Sequence, residues 1–309
     1  MATENGGRPP LPDGLIGFGP EANCTLDICP IEWTVYQYRP SLPANSVFIA
    51  FFATGLLTHV YLGYRWRSWF YMTFMVLGCL FAIIGYAGRL MLYDNPFAFT
   101  GFLIQIVCIT TAPVFYTAAI YVTLAKVINY FGPQLSRFNP KLFYWVFIPF
   151  DLVCLVLQAA GGAISTTSSG SSQAGVDIAM GGLVLQVIVL FAFCILLGDY
   201  LVRYFRQPTV TTLDNRLKLF FGFLAFAVIL IFGRCIFRAY ELSQGYQNSD
   251  LITDEALFIG LEGVLVVIAT FSLCIGHPGF VFGKDAKAVA PSHPEPEADV
   301  EAKPASRSS

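Results

Sequence analysis

Charged residues are scarce in this sequence: they make up 12% of its 309 residues, whereas hydrophobic residues make up 56%. A soluble domain usually carries about 25% charged residues, so the composition excludes an ordinary soluble protein and indicates a membrane protein. The net charge of −2 gives no sign of a nucleic-acid partner. The sequence also has no Gly-rich loop ending in Gly-Lys-Ser/Thr, so no nucleotide site is recognisable.

Histidine is rare as well, with three in the whole chain: His59, His277 and His293. They are too few and too scattered for a three-ligand zinc site in the membrane, which argues against a metal-dependent hydrolase. No Ser or Cys nucleophile is paired with a base in the sequence. We therefore expect no catalytic residues, no metal and no enzymatic activity. Six cysteines lie in the apolar segments without CxxC spacing and are expected to be small core residues, namely Cys79, Cys108, Cys154, Cys194, Cys235 and Cys274.

Long apolar windows are abundant. Seven windows have the length of about 20 predominantly apolar residues that a spanning helix needs, and they cover 44–64, 69–92, 100–126, 142–165, 176–201, 217–240 and 254–276. We therefore predict an all-α polytopic membrane protein with seven transmembrane helices. Its domains are a leader at 1–43, the helical domain at 44–276 and a tail at 277–309. The tail is rich in Pro, Ala, Glu and Ser and is expected to be disordered.

The loops predict the orientation, because cytoplasmic loops carry an excess of Lys and Arg. Alternate loops on one side contain most of the basic residues, namely Arg65, Arg67, Lys126, Arg137, Lys141, Arg203, Arg206, Arg216, Lys218, Lys284 and Lys287. The other side has Arg8 and Arg39 in the leader, and Arg89 near a helix end. The amino terminus is therefore expected outside and the carboxyl terminus in the cytoplasm.

Two features of the leader agree with an outside location. Cys24 and Cys29 are close enough for a small disulfide loop in an oxidising compartment. Asn23-Cys24-Thr25 is an N-glycosylation sequon. Two free thiols and an unused sequon are the alternative interpretation, and glycosylation of Asn23 would compete with disulfide formation one residue away.

Charges recur at helical spacing in the last two windows. Arg234, Arg238 and Glu241 are spaced i, i+4, i+7, and Glu255 and Glu262 are spaced i, i+7. Each set is therefore expected to share one helical face. Two apolar helices would thus each carry a charged stripe.

Polar residues also occur in the earlier windows, mostly in the half nearer the leader: Arg89, Gln105, Gln158 and Gln186, with Asp151 near mid-depth. A charge in the membrane costs at least about 3 kcal/mol on insertion scales, so it normally faces the bundle interior and pairs. We expect Glu262 to pair with Arg234 or Arg89, and we expect Asp151 to lack an obvious partner. The alternative to a ligand site is a purely structural one, in which ion pairs fix helix register and glutamines bond neighbouring helices.

Several motifs occur in a fixed order along the chain. They are Gly85-Tyr86-x-x-Arg89, Gln105, Ala112-Pro113, Ala118-Ala119-x-Tyr121, Asp151, Gln158-Ala-Ala-Gly161-Gly162, Gly182-x-x-x-Gln186, Arg234-x-x-x-Arg238-x-x-Glu241-x-x-x-Gly245, Glu255 and His277-Pro278-Gly279. Together they resemble the fungal RTA-like family, named for resistance to aminocholesterol and also called lipid-translocating exporters. The resemblance covers about residues 40–280. The chain departs from the family pattern at Ala82 and Ile259, which replace an acid and a Tyr, and at Glu262, which replaces an Asp.

This resemblance implies a seven-helix protein of the plasma membrane, or of the vacuole or another internal membrane. It also implies export or flipping of sphingoid long-chain bases or sterol-like toxic amphiphiles, or traffic of protoporphyrin or haem. An outward polar chamber would hold the head group of the substrate, with acids for an ammonium and arginines for phosphate or porphyrin propionates. Its expected lining is Arg89, Gln105, Gln158, Arg234 and Glu262, with Arg238, Glu241 and Glu255 at its outer rim. Without a nucleotide site, transport would be facilitated or gradient-driven, with Asp151 or Glu262 as candidate proton carriers. Membrane lipids and an amphipathic small molecule are the expected partners; the oligomeric state is not predicted.

A receptor or lipid sensor is the alternative, because seven helices with the amino terminus outside is also the receptor layout. The third window ends in Leu124-Ala-Lys-Val-Ile-Asn-Tyr, without an Asp/Glu-Arg-Tyr triplet, and the seventh contains neither Asn-Pro-x-x-Tyr nor a Lys for a retinal Schiff base. A cavity that opens between helices towards lipid would favour translocation. A closed outward cup would favour sensing.

Overall fold

The computed structural model describes residues 11, 14–17, 19–131, 139–167, 173–206, 215–244 and 253–282. Seven helical segments in these ranges are long and apolar enough to cross a membrane, which confirms the predicted spans. They are α1 Leu42–Trp66, α2 Trp69–Asp94, α3 Phe99–Phe131, α4 Lys141–Thr167, α5 Gln173–Phe205, α6 Asn215–Ser243 and α7, which is continuous over the pieces Glu255–Leu257, Phe258–Val264 and Leu265–Ile275. A short 3₁₀ turn, Ile31–Trp33, precedes them, and a one-turn helix α8, Gly279–Phe282, follows them. Most of the predicted tail lies outside the described residues.

The first and last spans start at recognisable caps. Ser41 is the N-cap of α1, where its side chain accepts a hydrogen bond from the Ala44 amide, and Pro43 occupies the first turn. Pro is favoured there because a missing N–H costs nothing at that position. Asp254 caps α7 by accepting from the amides of Ala256 and Leu257.

Glycines bring two pairs of neighbouring helices into close contact. A Cβ on Gly88 of α2 would lie 3.0 Å from the Gly101 carbonyl oxygen of α3. A Cβ on Gly161 of α4 would lie 2.6 Å from the Gly175 carbonyl oxygen of α5. Small residues allow such close backbone approach between helices in a membrane. The pairs α2/α3 and α4/α5 are therefore the tightest packed units that the structure describes.

Helix α3 lies at the centre of the bundle. A larger share of its most apolar stretch is buried, 56%, than of any other span. Pro113 lies inside α3, and because proline has no N–H it leaves the carbonyl four residues earlier without its helical hydrogen bond. That carbonyl belongs to Ile109.

Helix α7 changes its winding at Phe258–Val264, which form a π-helix between α-helical ends. A π turn closes hydrogen bonds over five residues instead of four, so it holds an extra residue and changes the helical phase. The i, i+7 spacing predicts that Glu255 and Glu262 share one face, but the π-helical stretch places them on different faces. They contact different neighbouring helices, and this part of the prediction is wrong.

The described part of the leader packs on the end of the bundle where α1 and α7 begin, here called the leader end. Cys24 and Cys29 form a disulfide, with Cα atoms 5.6 Å apart, and both side chains pack against Phe97 in the α2–α3 connection. Asn23 is exposed, accepts a hydrogen bond from the Ile16 amide (2.7 Å) and donates one to the Gly14 carbonyl (3.1 Å). Glycosylation of Asn23 stays a prediction.

Candidate functional site

Arg89 is fully buried near the leader end of α2. Its guanidinium donates to the Asn45 side-chain oxygen of α1 at 3.1 Å and to the Tyr38 hydroxyl at 3.0 Å. Glu255 of α7 lies 3.7 Å from the same group, and the Phe258 ring lies 3.8 Å away as a cation–π partner. Arg89 thus ties α1, α2, α7 and the leader together.

The leader tyrosines reach the polar groups of α2 and α3. The Tyr36 hydroxyl accepts a hydrogen bond from the side-chain amide of Gln105 at 2.6 Å, beside the Tyr38–Arg89 contact. Burial raises the pKa of both tyrosines, although nearby Arg89 opposes the shift. Both therefore remain neutral hydroxyls at physiological pH. They cover Arg89 and Gln105 from the leader side.

Backbone contacts fix the rest of this cover. The Arg39 side chain donates to the Tyr93 carbonyl at 2.6 Å and stacks over the Tyr93 ring. The Ser41 amide donates to a carboxylate oxygen of Glu255 at 2.6 Å. These bonds join the leader to α2 and α7.

A second charged group lies between α6 and α7. The carboxylate of Glu262 is 3.4 Å from Arg234 and 3.7 Å from Arg238, and Arg238 also binds Glu241 at 2.6 Å. Arg234 is fully buried, and Glu262 and Glu241 are almost so. The expected pairing of Glu262 with Arg234 is therefore confirmed. Two arginines and two glutamates balance within this group.

Arg234 also replaces the helical hydrogen bond that α3 lacks because of Pro113. Its guanidinium donates to the Ile109 carbonyl at 3.3 Å, the carbonyl that lacks its helical partner. An unpaired carbonyl in hydrocarbon would cost several kcal/mol. Pro113 of the Ala112-Pro113 motif thus frees the Ile109 carbonyl, and Arg234 supplies its hydrogen-bond donor.

The polar residues do not form the single open chamber that the sequence analysis predicts. Arg89, Gln105, Arg234 and Glu262 are each at most 3% exposed, and the leader tyrosines cover the first two. The physical reason is that Arg89, Arg234 and Glu262 each pair with a charged group on a neighbouring helix. Sequence spacing places polar groups at similar depth but does not say which of them are already paired.

An open groove lies elsewhere, between α3, α4, α5 and α6. It has a volume of about 50 Å³, enough for water but too small for a lipid head group. Its mouth is between α3 and α4, where Val107 and Ala159 are exposed, and Leu242 lies buried inside. Its polar lining comes from Thr110, Thr111, Gln158 and Arg238.

Gln158 joins the groove to α5. Its amide donates to the Gln186 side-chain oxygen at 2.8 Å, and Gln186 is 3% exposed. The Gln158 side-chain oxygen has no hydrogen-bond partner among the described residues. The groove is therefore bordered by a buried acceptor that has no partner among the described residues.

Asp151 has partners that the sequence analysis did not expect. One carboxylate oxygen accepts hydrogen bonds from Thr117 and Tyr121 of α3, both at 3.1 Å. The expectation of no obvious partner is therefore wrong, because α3 turns its hydroxyl face towards α4. The other carboxylate oxygen is buried and has no partner in the part of the chain that the structure describes.

Two histidines are buried in the half of the bundle away from the leader. His277 accepts from the Gly279 amide at 2.9 Å and lies 3.2 Å from the Ser68 hydroxyl in the α1–α2 connection. His59 lies 3.3 Å from the Thr270 carbonyl. Among the described residues, no group of three or more His, Cys, Asp or Glu side chains is placed to hold a metal.

Sequence reasoning missed Tyr36, Tyr38, Asn45 and Thr117 as members of these groups. Tyr36 and Tyr38 lie in the leader, outside every predicted span. Asn45 and Thr117 are polar residues inside predicted spans, and that alone was a usable signal.

These observations define a multi-pass membrane protein in which the buried Arg89 and Arg234 are paired with glutamates inside a seven-helix bundle. A small groove with a mostly apolar lining and one polar side lies between α3, α4, α5 and α6. A family model described as "RTA1 like protein" matches residues 75–285. The chain belongs to the RTA1-like family.

Several characterised relatives are fungal. The chain is 31% identical to the sphingoid long-chain base transporter RSB1 of Saccharomyces cerevisiae over 297 residues, covering 84% of this chain and 77% of that protein. It is 26% identical to the lipid-translocating exporter-like protein RTA1 of Leptosphaeria maculans, covering 82% of this chain and 53% of that one. It is 30% identical to protoporphyrin uptake protein 1 of S. cerevisiae, covering 63% and 65%. The names of these relatives describe transport, in line with a chain that is not an enzyme. No solved structure matches the chain.

Proposed function

We propose that this protein translocates amphipathic lipids, with long-chain amino alcohols as the first substrate class to test. Its similarity to the sphingoid base transporter supports this class. The leader would lie outside and the carboxyl terminus in the cytoplasm, as the distribution of Lys and Arg in the loops predicts. The plasma membrane is the expected location.

One observation carries the proposal: the exposed lining residues of the groove, Val107 and Ala159, lie on α3 and α4, while the leader covers Arg89 and Gln105 at the leader end. An amphiphile in the leader-side leaflet would bring its head group to Gln158 through this mouth and leave its chain in lipid. Exposed Val107 and Ala159 at the mouth offer an apolar border for that chain. A sensor that takes ligand from solution would need an uncovered cup at the leader end instead.

The paired charges would then hold the helices around the translocation route in fixed positions. Arg234 and Glu262 hold α3, α6 and α7 in fixed relation, and Arg89 does the same for α1, α2 and α7. Arg238, which lines the groove and also pairs with Glu241, is the charged group nearest to an entering head group. Because the groove is too small in this structure, α3 and α4 must separate for passage.

The test is flux in vesicles reconstituted with the purified full chain. A fluorescent long-chain amino alcohol is added, and its movement between leaflets is followed by quenching from outside. Leu155 lines the groove, so Leu155→Trp should reduce flux at least tenfold. Val153 is 50% exposed on the opposite, lipid-facing side of the same helix, so Val153→Trp is the matched control and should leave flux within twofold.

Two outcomes would count against the proposal. Flux no faster than in protein-free vesicles, with specific binding of the probe retained, would indicate a sensor. Equal loss in both tryptophan variants would remove the groove from the route. Protoporphyrin serves as a second probe, because one relative is named for its uptake.

A further inference from the structure

The facing sides of α3 and α4 carry one continuous line of polar groups. On α3 these are Thr110, Thr117 and Tyr121, spaced i, i+7, i+11, and on α4 they are Asp151 and Gln158, spaced i, i+7. Residues at such spacing share a helical face. Thr110 and Gln158 line the groove, and Thr117 and Tyr121 bind Asp151. The line therefore runs from the groove into the bundle.

The distance between its two ends is short. Seven residues separate Gln158 from Asp151, which is about 10 Å along a helix axis at 1.5 Å per residue. Thr110 and Thr117 have the same separation on α3. A head group that leaves the groove along this seam would meet Asp151 about two helical turns further in.

Asp151 is an unusual acid for this depth. It is 2% exposed, and no Lys or Arg forms an ion pair with it in the described part of the chain. One oxygen accepts both hydroxyls, and the other is buried without a hydrogen-bond partner among the described residues. Intramembrane acids usually pair with a cation, and their positions mark ligand or ion pathways. Asp151 is thus an acceptor site without a cation.

Helix α4 packs more extensively on α5 than on α3, and α3 packs more extensively on α2 than on α4. Backbone contacts through Gly88 and Gly161 hold α2 against α3 and α4 against α5. The atoms nearest to a Cβ on Gly101 of α3 belong to α2, and those nearest to a Cβ on Gly161 of α4 belong to α5, so neither glycine makes its closest approach across the α3–α4 seam. Hydrogen bonds to Asp151 and the contact between the Tyr121 and Phe147 rings, with centroids 5.4 Å apart, join the two sides there. Helices α4 and α5 would move together, away from α2 and α3.

We propose that Asp151 is the mid-depth binding point for the ammonium group of a cationic amphiphile. In the open seam, the carboxylate of Asp151 would pair with the ammonium, whose remaining donors would reach the hydroxyl oxygens of Thr117 and Tyr121, each of which keeps a free lone pair. The site would select amines over neutral amphiphiles of the same shape. This inference rests on the proposed translocation of amphiphiles and adds the residue that chooses among them.

The experiment compares two probes in the same vesicles: a fluorescent long-chain amino alcohol and its N-acetylated form, which carries no charge. Each is measured with the wild-type chain and with Asp151→Asn, which keeps the shape and one acceptor oxygen. We expect wild-type flux to favour the amine at least tenfold after subtraction of protein-free vesicles. Asp151→Asn should lower amine flux at least tenfold and leave N-acetyl flux within twofold. Asp151→Glu, which restores the charge, should recover part of the preference.

Each result decides the question. If the wild-type chain moves the N-acetyl form as fast as the amine, the proposed role of Asp151 is wrong. The measurement on the wild-type chain alone is enough to show this. Equal loss of both fluxes in Asp151→Asn also overturns it, because a structural or proton-carrying acid would act on either probe. If the wild-type chain moves neither probe, the proposed translocation fails first and this inference falls with it.

Discussion

Glu262 lies beside two arginines, the buried Arg234 and the partly buried Arg238. Replacing it by glutamine therefore tests whether the charged group between α6 and α7 is a balanced unit. Its carboxylate lies 3.4 Å from Arg234 and 3.7 Å from Arg238. The substitution keeps the size of the side chain and one of its two oxygens. It leaves two arginines against the single remaining acid, Glu241.

The expected loss is large. Removing one member of a buried ion pair typically costs 3–5 kcal/mol, because the remaining charge is left uncompensated. We therefore expect Glu262→Gln to lower the free energy of unfolding by about 3–5 kcal/mol. The measurement is unfolding of the purified chain in mixed micelles, followed by the loss of helical circular dichroism as denaturing detergent is added.

A surface pair provides the matched control. Asp199 and Arg203 lie 3.0 Å apart at i, i+4 with side chains 34% and 38% exposed. An exposed pair of this kind contributes about 0.3–0.5 kcal/mol, so Asp199→Asn should change the free energy of unfolding by no more than that. The same chemical change is thereby made in a buried and in an exposed environment.

A second substitution separates charge imbalance from lost shape. Adding Arg234→Gln to Glu262→Gln restores the charge balance, and a glutamine amide can still donate towards the Ile109 carbonyl. The double variant should recover at least 1 kcal/mol, on the order of the coupling energies measured for contacting residues. The reasoning is refuted if Glu262→Gln behaves like the surface control, or if the two losses simply add.

Three further outcomes follow from the packing and from the leader. Gly161→Ala should cost about 1–3 kcal/mol of stability, because its Cβ would press on the α5 backbone; the neighbouring Gly162→Ala has open space and should be neutral or stabilising in the same unfolding assay. Opening the leader disulfide with Cys24→Ser, Cys29→Ser should weaken leader docking by about 2 kcal/mol, measured as faster hydrogen exchange in the peptide spanning 31–39; unchanged exchange would contradict it. Tyr38→Phe removes a hydrogen bond to a buried cation and should cost about 1.5–3 kcal/mol, with a matching rise in exchange of the same peptide; a change confined to the far end of the bundle would count against the contact.

The spans were predictable because each depends on local composition. An apolar stretch of about 20 residues has to be helical in a membrane, whatever its neighbours are. The pairing of Glu262 with Arg234 was predictable for a similar reason, since two opposite charges in adjacent apolar helices have few other partners. Both predictions depend only on the hydrophobicity or the charge of the residues themselves and not on how the helices are arranged.

The groups that the sequence did not reveal depend on which helices are neighbours. The Tyr38–Arg89 and Tyr36–Gln105 contacts join residues 51 and 69 positions apart. Nothing in the leader itself says that its tyrosines enter the bundle. Likewise, Thr117 lies on a definite face of α3, but its contact with Asp151 requires knowing that this face meets α4.

The contact of the Ile109 carbonyl was predictable only in part. A proline inside a membrane helix always frees one carbonyl, so the need for a donor near Ile109 follows from Pro113 alone. Which donor meets that need, Arg234, follows only from the fold. A search for arginines at matching depth would have proposed it.

The π-helical stretch of α7 acts as a one-residue insertion inside a spanning helix. Before it, Glu255 faces Arg89; after it, Cys274 lies 3.2 Å from His59 of α1. An uninterrupted α-helix turns about 100° per residue, since it has 3.6 residues per turn, so deleting one residue between 258 and 264 would rotate one of these two contacts away from its partner. The seventh helix can thus satisfy both ends of the bundle only because it is one residue longer than a regular helix would need to be.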